Sequence, residues 1–128
     1  MSLISTKLAP TKQYLMNPEK IIQQQVIAYN SRNITDFADC HHPDVELFNF
    51  PEKVPFAVGR EKIRSIYKEV FDKSPNLHTE VVHRMSLGNT VIDNEIVTGR
   101  AGVDSLKIIA IYEIEDELIR RAHFIRED

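Results

Sequence analysis

The sequence is short of most residues from which recognisable sites are built. It has one cysteine, Cys40, in 128 residues, which excludes an internal disulfide and a multi-cysteine metal site. Five histidines are scattered without acids at matched spacing, so neither a metal nor a cofactor is expected. No cluster of Lys and Arg occurs and the net charge is −3, which argues against a nucleic-acid partner. No stretch reaches the ~18–20 continuous apolar residues that span a bilayer, so no membrane partner is expected. The first residues contain Lys7 and are broken by Pro10, and they lack the apolar core of a secretory signal. Repeats, heptads and low-complexity tracts are missing as well. What remains, 42 % apolar and 27 % charged, is ordinary for one globular domain. The lone cysteine agrees with a cytoplasmic location.

Residues 1–16 show no clean period and read as an N-terminal extension. The domain is expected over 17–128. Asn17 can cap a helix, Pro18 suits its first position and Glu19 favours its positive end. Ile22, Val26 and Tyr29 then recur at helical spacing, up to the polar run Asn30-Ser31-Arg32-Asn33. Asn33 caps a shorter helix over Ile34 to Cys40, stopped by His41-His42-Pro43. Asp44 to Phe50 reads as a strand, and Pro51 to Val58 as a loop with two prolines. Gly59 opens a third helix whose stripe is Ile63, Ile66, Tyr67, Val70 and Phe71, the clearest amphipathic pattern in the chain.

From Leu77 to Gly99 the pattern changes to a hairpin closed by Gly88-Asn89, a pair that favours tight turns. Counting outward, one face pairs Leu87 with Thr90, Met85 with Ile92, His83 with Asn94 and Val81 with Ile96. The other pairs Ser86 with Val91, Arg84 with Asp93, Val82 with Glu95 and Glu80 with Val97. The first face is mostly apolar and is expected to be buried. It holds a polar pair, His83 and Asn94, that would need partners there. A loop longer or shorter by one residue would instead turn Arg84, Asp93 and Glu95 inward. Ser105 to Glu115 and Leu118 to Arg126 form the last two strands. With Asp116-Glu117 as the turn, Glu113 faces Arg120, Tyr112 faces Arg121 and Ala110 faces His123. The order α-α-β-α-β-β-β-β implies an α+β domain with helices on one face of a curved antiparallel sheet.

Several motifs in this order carry a resemblance. They are Tyr29-Asn30-Ser31-Arg32-Asn33 with Ile34-Thr35-Asp36-Phe37, Pro43-Asp44-Val45-Glu46, and Gly59-Arg60-Glu61-Lys62-Ile63. Glu95-Ile96-Val97-Thr98-Gly99 follows, then Ile109-Ala110-Ile111-Tyr112-Glu113-Ile114 with Leu118-Ile119-Arg120. Together they resemble the SnoaL-like branch of the nuclear transport factor two-like superfamily, which includes polyketide cyclases and ketosteroid isomerases. The resemblance implies a cystatin-like cone of curved sheet around the first helix. It also implies an apolar pocket at the open end and homodimers formed through the outer sheet face. It does not fix a reaction. Ketosteroid isomerases use an aspartate base with a tyrosine and a protonated aspartate. The matching positions here are Phe48-Asn49-Phe50-Pro51, with no acid, and Ala110; the first-helix tyrosine has no match, Tyr29 lying too near the helix end, so the isomerase machinery is largely absent.

The expected ligand is therefore a small apolar compound bearing a carbonyl, and the expected chemistry is isomerisation or cyclisation by proton transfer beside that carbonyl. His83 would move the proton, Asn94 would orient it and Tyr112 would stabilise the oxyanion. His123, Phe48, Phe50, Tyr29 and Ala110 would line the pocket, with Phe56 and Phe124 in the wall or core. Arg84, Asp93 and Glu95 form an alternative set, similar to a trio that activates water in limonene epoxide hydrolase relatives. His41 and His42, beside a helix end, read as structural. The alternative function is a non-catalytic ligand-binding or protein-association domain of the same fold.

Overall fold

The computed structural model describes residues 17–127, so the expected extension over 1–16 lies outside the described residues. Helix α1 (Pro18–Asn30) starts as its residues dictate: the Asn17 side chain accepts a 2.7 Å hydrogen bond from the Glu19 N–H and Pro18 takes the first turn. Helix α2 (Ile34–Asp39) is capped by Asn33 in the same way. Strand β1 (His41–Asn49) and the two-residue β2 (Ala57–Val58) precede helix α3 (Arg60–Lys73), and strands β3 (His78–Leu87), β4 (Thr90–Thr98), β5 (Ser105–Glu115) and β6 (Leu118–Glu127) follow. Among the described residues, no helix is long and apolar enough to cross a membrane.

The sheet order is β2-β1-β6-β5-β4-β3. It is mixed rather than wholly antiparallel, because β1 runs parallel to β6. Strand β2, helix α3 and strands β3–β5 lie between β1 and β6, which supplies the long crossover a parallel pair needs. The core lies between the helices and the sheet, with Ile22, Phe37, Leu47, Ile63, Val91 and Ile119 essentially inaccessible to solvent.

The β3–β4 hairpin has the expected two-residue turn and the expected pairs from Leu87↔Thr90 to His83↔Asn94. Val82 is an extra residue in a bulge, so beyond it Val81 pairs with Glu95 and Thr79 with Val97. The buried face is the opposite of the one expected. Val91, Asp93, Glu95 and Val97 are buried, whereas Met85 is 53 % and Leu87 86 % exposed and His83 and Asn94 face outward. The rule that the more apolar face turns inward fails here because both faces are substantially apolar. Charge pairing resolves the conflict: the Arg84 guanidinium donates to both oxygens of the Asp93 carboxylate, at 2.6 and 2.8 Å.

The last hairpin also turns where expected. Asp116 and Glu117 both adopt positive φ, 56° and 62°, as a tight I′-type turn requires, without glycine. Arg120 is then an extra residue, so Glu113 pairs with Arg121, Tyr112 with Ala122 and Ala110 with Phe124, one residue out of the expected register. This bulge keeps Ala122 on the core side and brings both Arg120 and Arg121 to Glu46, each at 3.2 Å.

Replacing Arg84 by Met would leave the wholly buried Asp93 without its counter-ion and should cost about 3–5 kcal/mol. Urea unfolding at neutral pH measures this. Arg84→Met combined with Asp93→Leu should recover much of the loss; a double variant no more stable than the single one would refute the pairing argument.

Candidate functional site

An interior cavity of about 40 Å3 lies between α1, α3 and the inner face of β3–β6, room for about three water molecules. An aromatic cluster forms its floor. Tyr29 and Tyr67 lie against Phe37, with ring centroids 6.0 and 4.7 Å away. The helical stripe that contains Tyr67 and the end of α1 that contains Tyr29 bring these rings together.

Glu95 is the ionisable group at the centre of the wall. It is 7 % exposed; its Oε1 accepts from the Thr79 hydroxyl at 3.0 Å and its Oε2 from the Tyr112 hydroxyl at a longer 3.4 Å. Burial pushes its carboxyl up to about 7. The Thr79 hydrogen bond opposes that rise, while the charge of Asp93, two residues along the strand, adds to it. Burial likewise raises the hydroxyls of Tyr29, Tyr67 and Tyr112. All three are protonated donors near neutral pH.

His41 also borders the cavity. Burial pushes its imidazole down to about 4, so it is neutral. Its Nδ1 lies 2.8 Å from the Phe37 carbonyl, which can only accept, and this assigns the proton to Nδ1. The Nε2 lone pair is then left without a protein partner among the described residues. The Gln25 amide, 8 % exposed on the same cavity, has none either. Arg100 and Arg126 stand at the edge of this space. Arg126 is held by the Asn49 side chain and lies over Phe124, 4.9 Å from the ring centroid.

Of the expected residues, Tyr112 and Tyr29 line this cavity. Ala110 is buried on the same side of the sheet, opposite Asp93. His83 and Asn94 are across the sheet, because the hairpin presents its other face. His123, Phe48 and Phe50 are together but outside the cone: His123 stacks on Phe48 at 4.5 Å, its Nε2 is 3.3 Å from Glu113, and Phe50 is half exposed. The one-residue bulge in β6 puts Phe124, rather than His123, on the inner wall. The alternative trio of Arg84, Asp93 and Glu95 does point inward. Thr79, Gln25, Tyr67, Arg100 and Arg126 were not anticipated. Arg100 had a signal of its own, since it follows Gly99, whose φ is +75° and whose Cβ would meet the Asn76 carbonyl oxygen at 2.0 Å. Only glycine fits there.

Larger hollows elsewhere are shallower. A surface groove of about 420 Å3 runs along α1 and α2 past Cys40; burial raises that thiol to about 11 and it donates to the Asp36 carbonyl, so it is unreactive. His42, Glu115 and Asp116 bring potential metal ligands within 4.8 Å of one another, a grouping that sequence spacing did not reveal. Their surroundings are exposed, and His42 Nδ1 already accepts from the Asp44 N–H.

Glu95 and His41 bind protons in opposite senses on folding. With a folded value of about 7 against 4.5, Glu95 contributes its full stability below pH 4.5 and loses it as pH rises to 7. With about 4 against 6.5, His41 contributes in full above pH 6.5 and loses it as pH falls to 4. Each is worth roughly 3 kcal/mol, and in the wild type the two slopes offset each other. Denaturant titrations from pH 4 to 8 should therefore show Glu95→Gln gaining stability relative to wild type as pH rises. A difference that stays flat across that range refutes the assignment.

Comparison with known proteins adds the following. Residues 22–122 match the family model of the SnoaL-like domain. A cystatin-fold protein from Novosphingobium aromaticivorans superposes with a TM-score of 0.80 at 23 % identity, over 87 % of this chain and 99 % of that one. A candidate ketosteroid isomerase from Kribbella flavida gives 0.73 at 17 %, over 87 % and 78 %. IdmH, a candidate polyketide cyclase from Streptomyces antibioticus, gives 0.72 at 16 %, over 88 % and 93 %. At these identities the likeness is one of fold. No curated protein matches the chain.

Proposed function

The chain belongs to the SnoaL-like domain family, and from that premise we propose that its cavity is a small-molecule site in which Glu95 moves a proton beside a carbonyl group. The observation that carries the reading is a carboxyl nine-tenths buried on the cavity wall and poised to change charge near pH 7, the range in which a general base works best. Ionised Glu95 takes a proton from the carbon next to the carbonyl, leaving an enolate. The Tyr29 and Tyr67 hydroxyls lining the cavity donate to the developing oxyanion. The Glu95 carboxylic acid then returns the proton to a second carbon, which completes an isomerisation. In a cyclisation the enolate carbon first attacks another carbonyl carbon of the same molecule, and the proton goes to the alkoxide so formed. Tyr112 holds the carboxyl in place through its own hydroxyl. The proton-transfer role expected for His83 falls to Glu95 in this proposal.

Solvent-deuterium incorporation into a panel of small ketones, followed by NMR, tests it. Exchange should rise with pH through about 7, and Glu95→Gln should lower it about 10²–10⁴-fold while the variant stays folded, with a cooperative thermal transition. Exchange that is unchanged in the folded Gln variant sinks the reading.

A second reading, a non-catalytic association domain, draws support from the small cavity of about 40 Å3. Both readings accommodate a homodimer, which we place on the outer sheet face. That face leaves Met85, Leu87, Ile109 and Ile125 substantially exposed, an apolar surface that a second copy would cover. Sedimentation should give a dimer for the wild type and a monomer for Ile109→Arg with Ile125→Arg; a wild-type monomer at micromolar concentration refutes the interface.

A further inference from the structure

We infer that the ligand of this cavity carries a carboxylate, gripped at the rim by Arg100 and Arg126. The inference rests on the reading of the cavity as a small-molecule site, and it names the class of compound: a small oxo acid.

The argument begins with how the protein treats its other arginines. Arg84 meets Asp93, Arg120 and Arg121 meet Glu46, and Arg64 meets Glu61. Arg32 and Arg60 donate to backbone carbonyls. Arg100 is half-buried at the cavity, and its guanidinium has no hydrogen bond or ion pair to any described residue. Arg126 is exposed at the mouth; it donates to Asn49 and rests on the Phe124 and Phe56 rings, with no ion pair to a carboxylate among the described residues. The two guanidinium charges act on the same place, since both bear on the hydroxyls of Tyr29 and Tyr67 inside the cone. The acid on the cavity wall, Glu95, is already engaged by Thr79 and Tyr112. The rim therefore holds two positive charges whose counter-charge the described residues do not supply. Partial removal of the Arg100 guanidinium from water without a partner is costly, the exposed Arg126 adds a second charge beside it, and a planar fork is matched by a carboxylate or a phosphate.

Two observations favour the carboxylate. The cavity is small, about 40 Å3. The wall opposite the rim carries Glu95, which in its charged form would repel a dianion more than a monoanion. Such a ligand also suits the interior: its carboxylate stays at the rim while its ketone reaches the tyrosine hydroxyls.

The test is an NMR titration that follows the arginine Nε–H signals. The probes are pyruvate, 2-oxobutanoate and 4-oxopentanoate, their neutral primary amides, and inorganic phosphate. At least one oxo acid should bind saturably and shift the Arg100 and Arg126 signals, with its amide about tenfold weaker or worse. Arg100→Gln, and separately Arg126→Gln, should bring the acid down to the affinity of the amide without changing amide binding or the thermal midpoint. Equal affinity for acid and amide, preference for phosphate, or no saturable binding by any oxo acid overturns the inference. The two proposals fail separately. Carboxylate binding without deuterium exchange defeats only the catalytic reading. Exchange that is as fast on neutral ketones as on oxo acids, with Arg100→Gln unaffected, defeats only this one.

Discussion

Asp93 is wholly buried, and the interior tolerates such a carboxylate only when its charge is answered nearby. Arg84 answers it with two hydrogen bonds across the β3–β4 ladder. That contact fixes which face of the hairpin looks at α1. The helix reinforces it, with Gln23 accepting from Arg84 and Glu19 from the Ser86 hydroxyl. Once Asp93 is inside, the two-residue period of the strand puts Glu95 inside as well. Glu95 lies further along, where Thr79 and Tyr112 offer hydrogen bonds but no guanidinium forks onto it. One strand thus carries two buried carboxyls in different environments. Asp93 is paired and structural, and Glu95 keeps its proton up to about pH 7.

Much of the fold was legible in the sequence because the signals for it are local. Asn17-Pro18 and Asn33 mark helix starts through their own side chains, and Gly88-Asn89 and Asp116-Glu117 mark turns through backbone preference. The resemblance to the SnoaL-like branch rested on the order of such pieces, and the family match over residues 22–122 agrees with it. The bulges at Val82 and Arg120 were not legible. Each adds one residue on one strand, a choice made by packing across the sheet and not by the residue itself. A single slip exchanged His123 for Phe124 on the inner wall. The site suffered more than the fold for this reason: an element survives a one-residue error, but a side chain changes faces.

The reversed hairpin has a different cause. Sequence reasoning ranked its faces by apolarity, and Met85, Ile92, Val81 and Ile96 outweigh Arg84, Asp93 and Glu95 on that scale. The comparison assumes that one face meets water. In this sheet the outer face retains exposed Met85, Leu87, Ile109 and Ile125, so apolarity alone does not identify the interior. Charge complementarity does. Arg84 and Asp93 stand directly opposite each other and are both reachable from one turn, which makes their joint burial affordable. Had opposite charges at a facing pair been weighted as a burial signal, Glu95 would have been the leading candidate.

The cavity presents a sharper version of the same accounting. Folding has buried Glu95, the Gln25 amide, the Nε2 of His41 and several tyrosine hydroxyls around about 40 Å3 of space. A protein that needed only a packed core at this position would gain stability from leucine or phenylalanine there. Half-satisfied polar walls are less stable than apolar ones, and the unmade hydrogen bonds are left for water or a bound molecule to complete. The rim repeats the pattern in charge, since Arg100 is half-buried with no ion pair to a carboxylate among the described residues. Interior donors, one titratable carboxyl and rim cations together are what the proposed ligand, with an anionic end and a polar centre, would have to match. That complement is a stronger constraint on function than the fold, which by itself hosts many reactions.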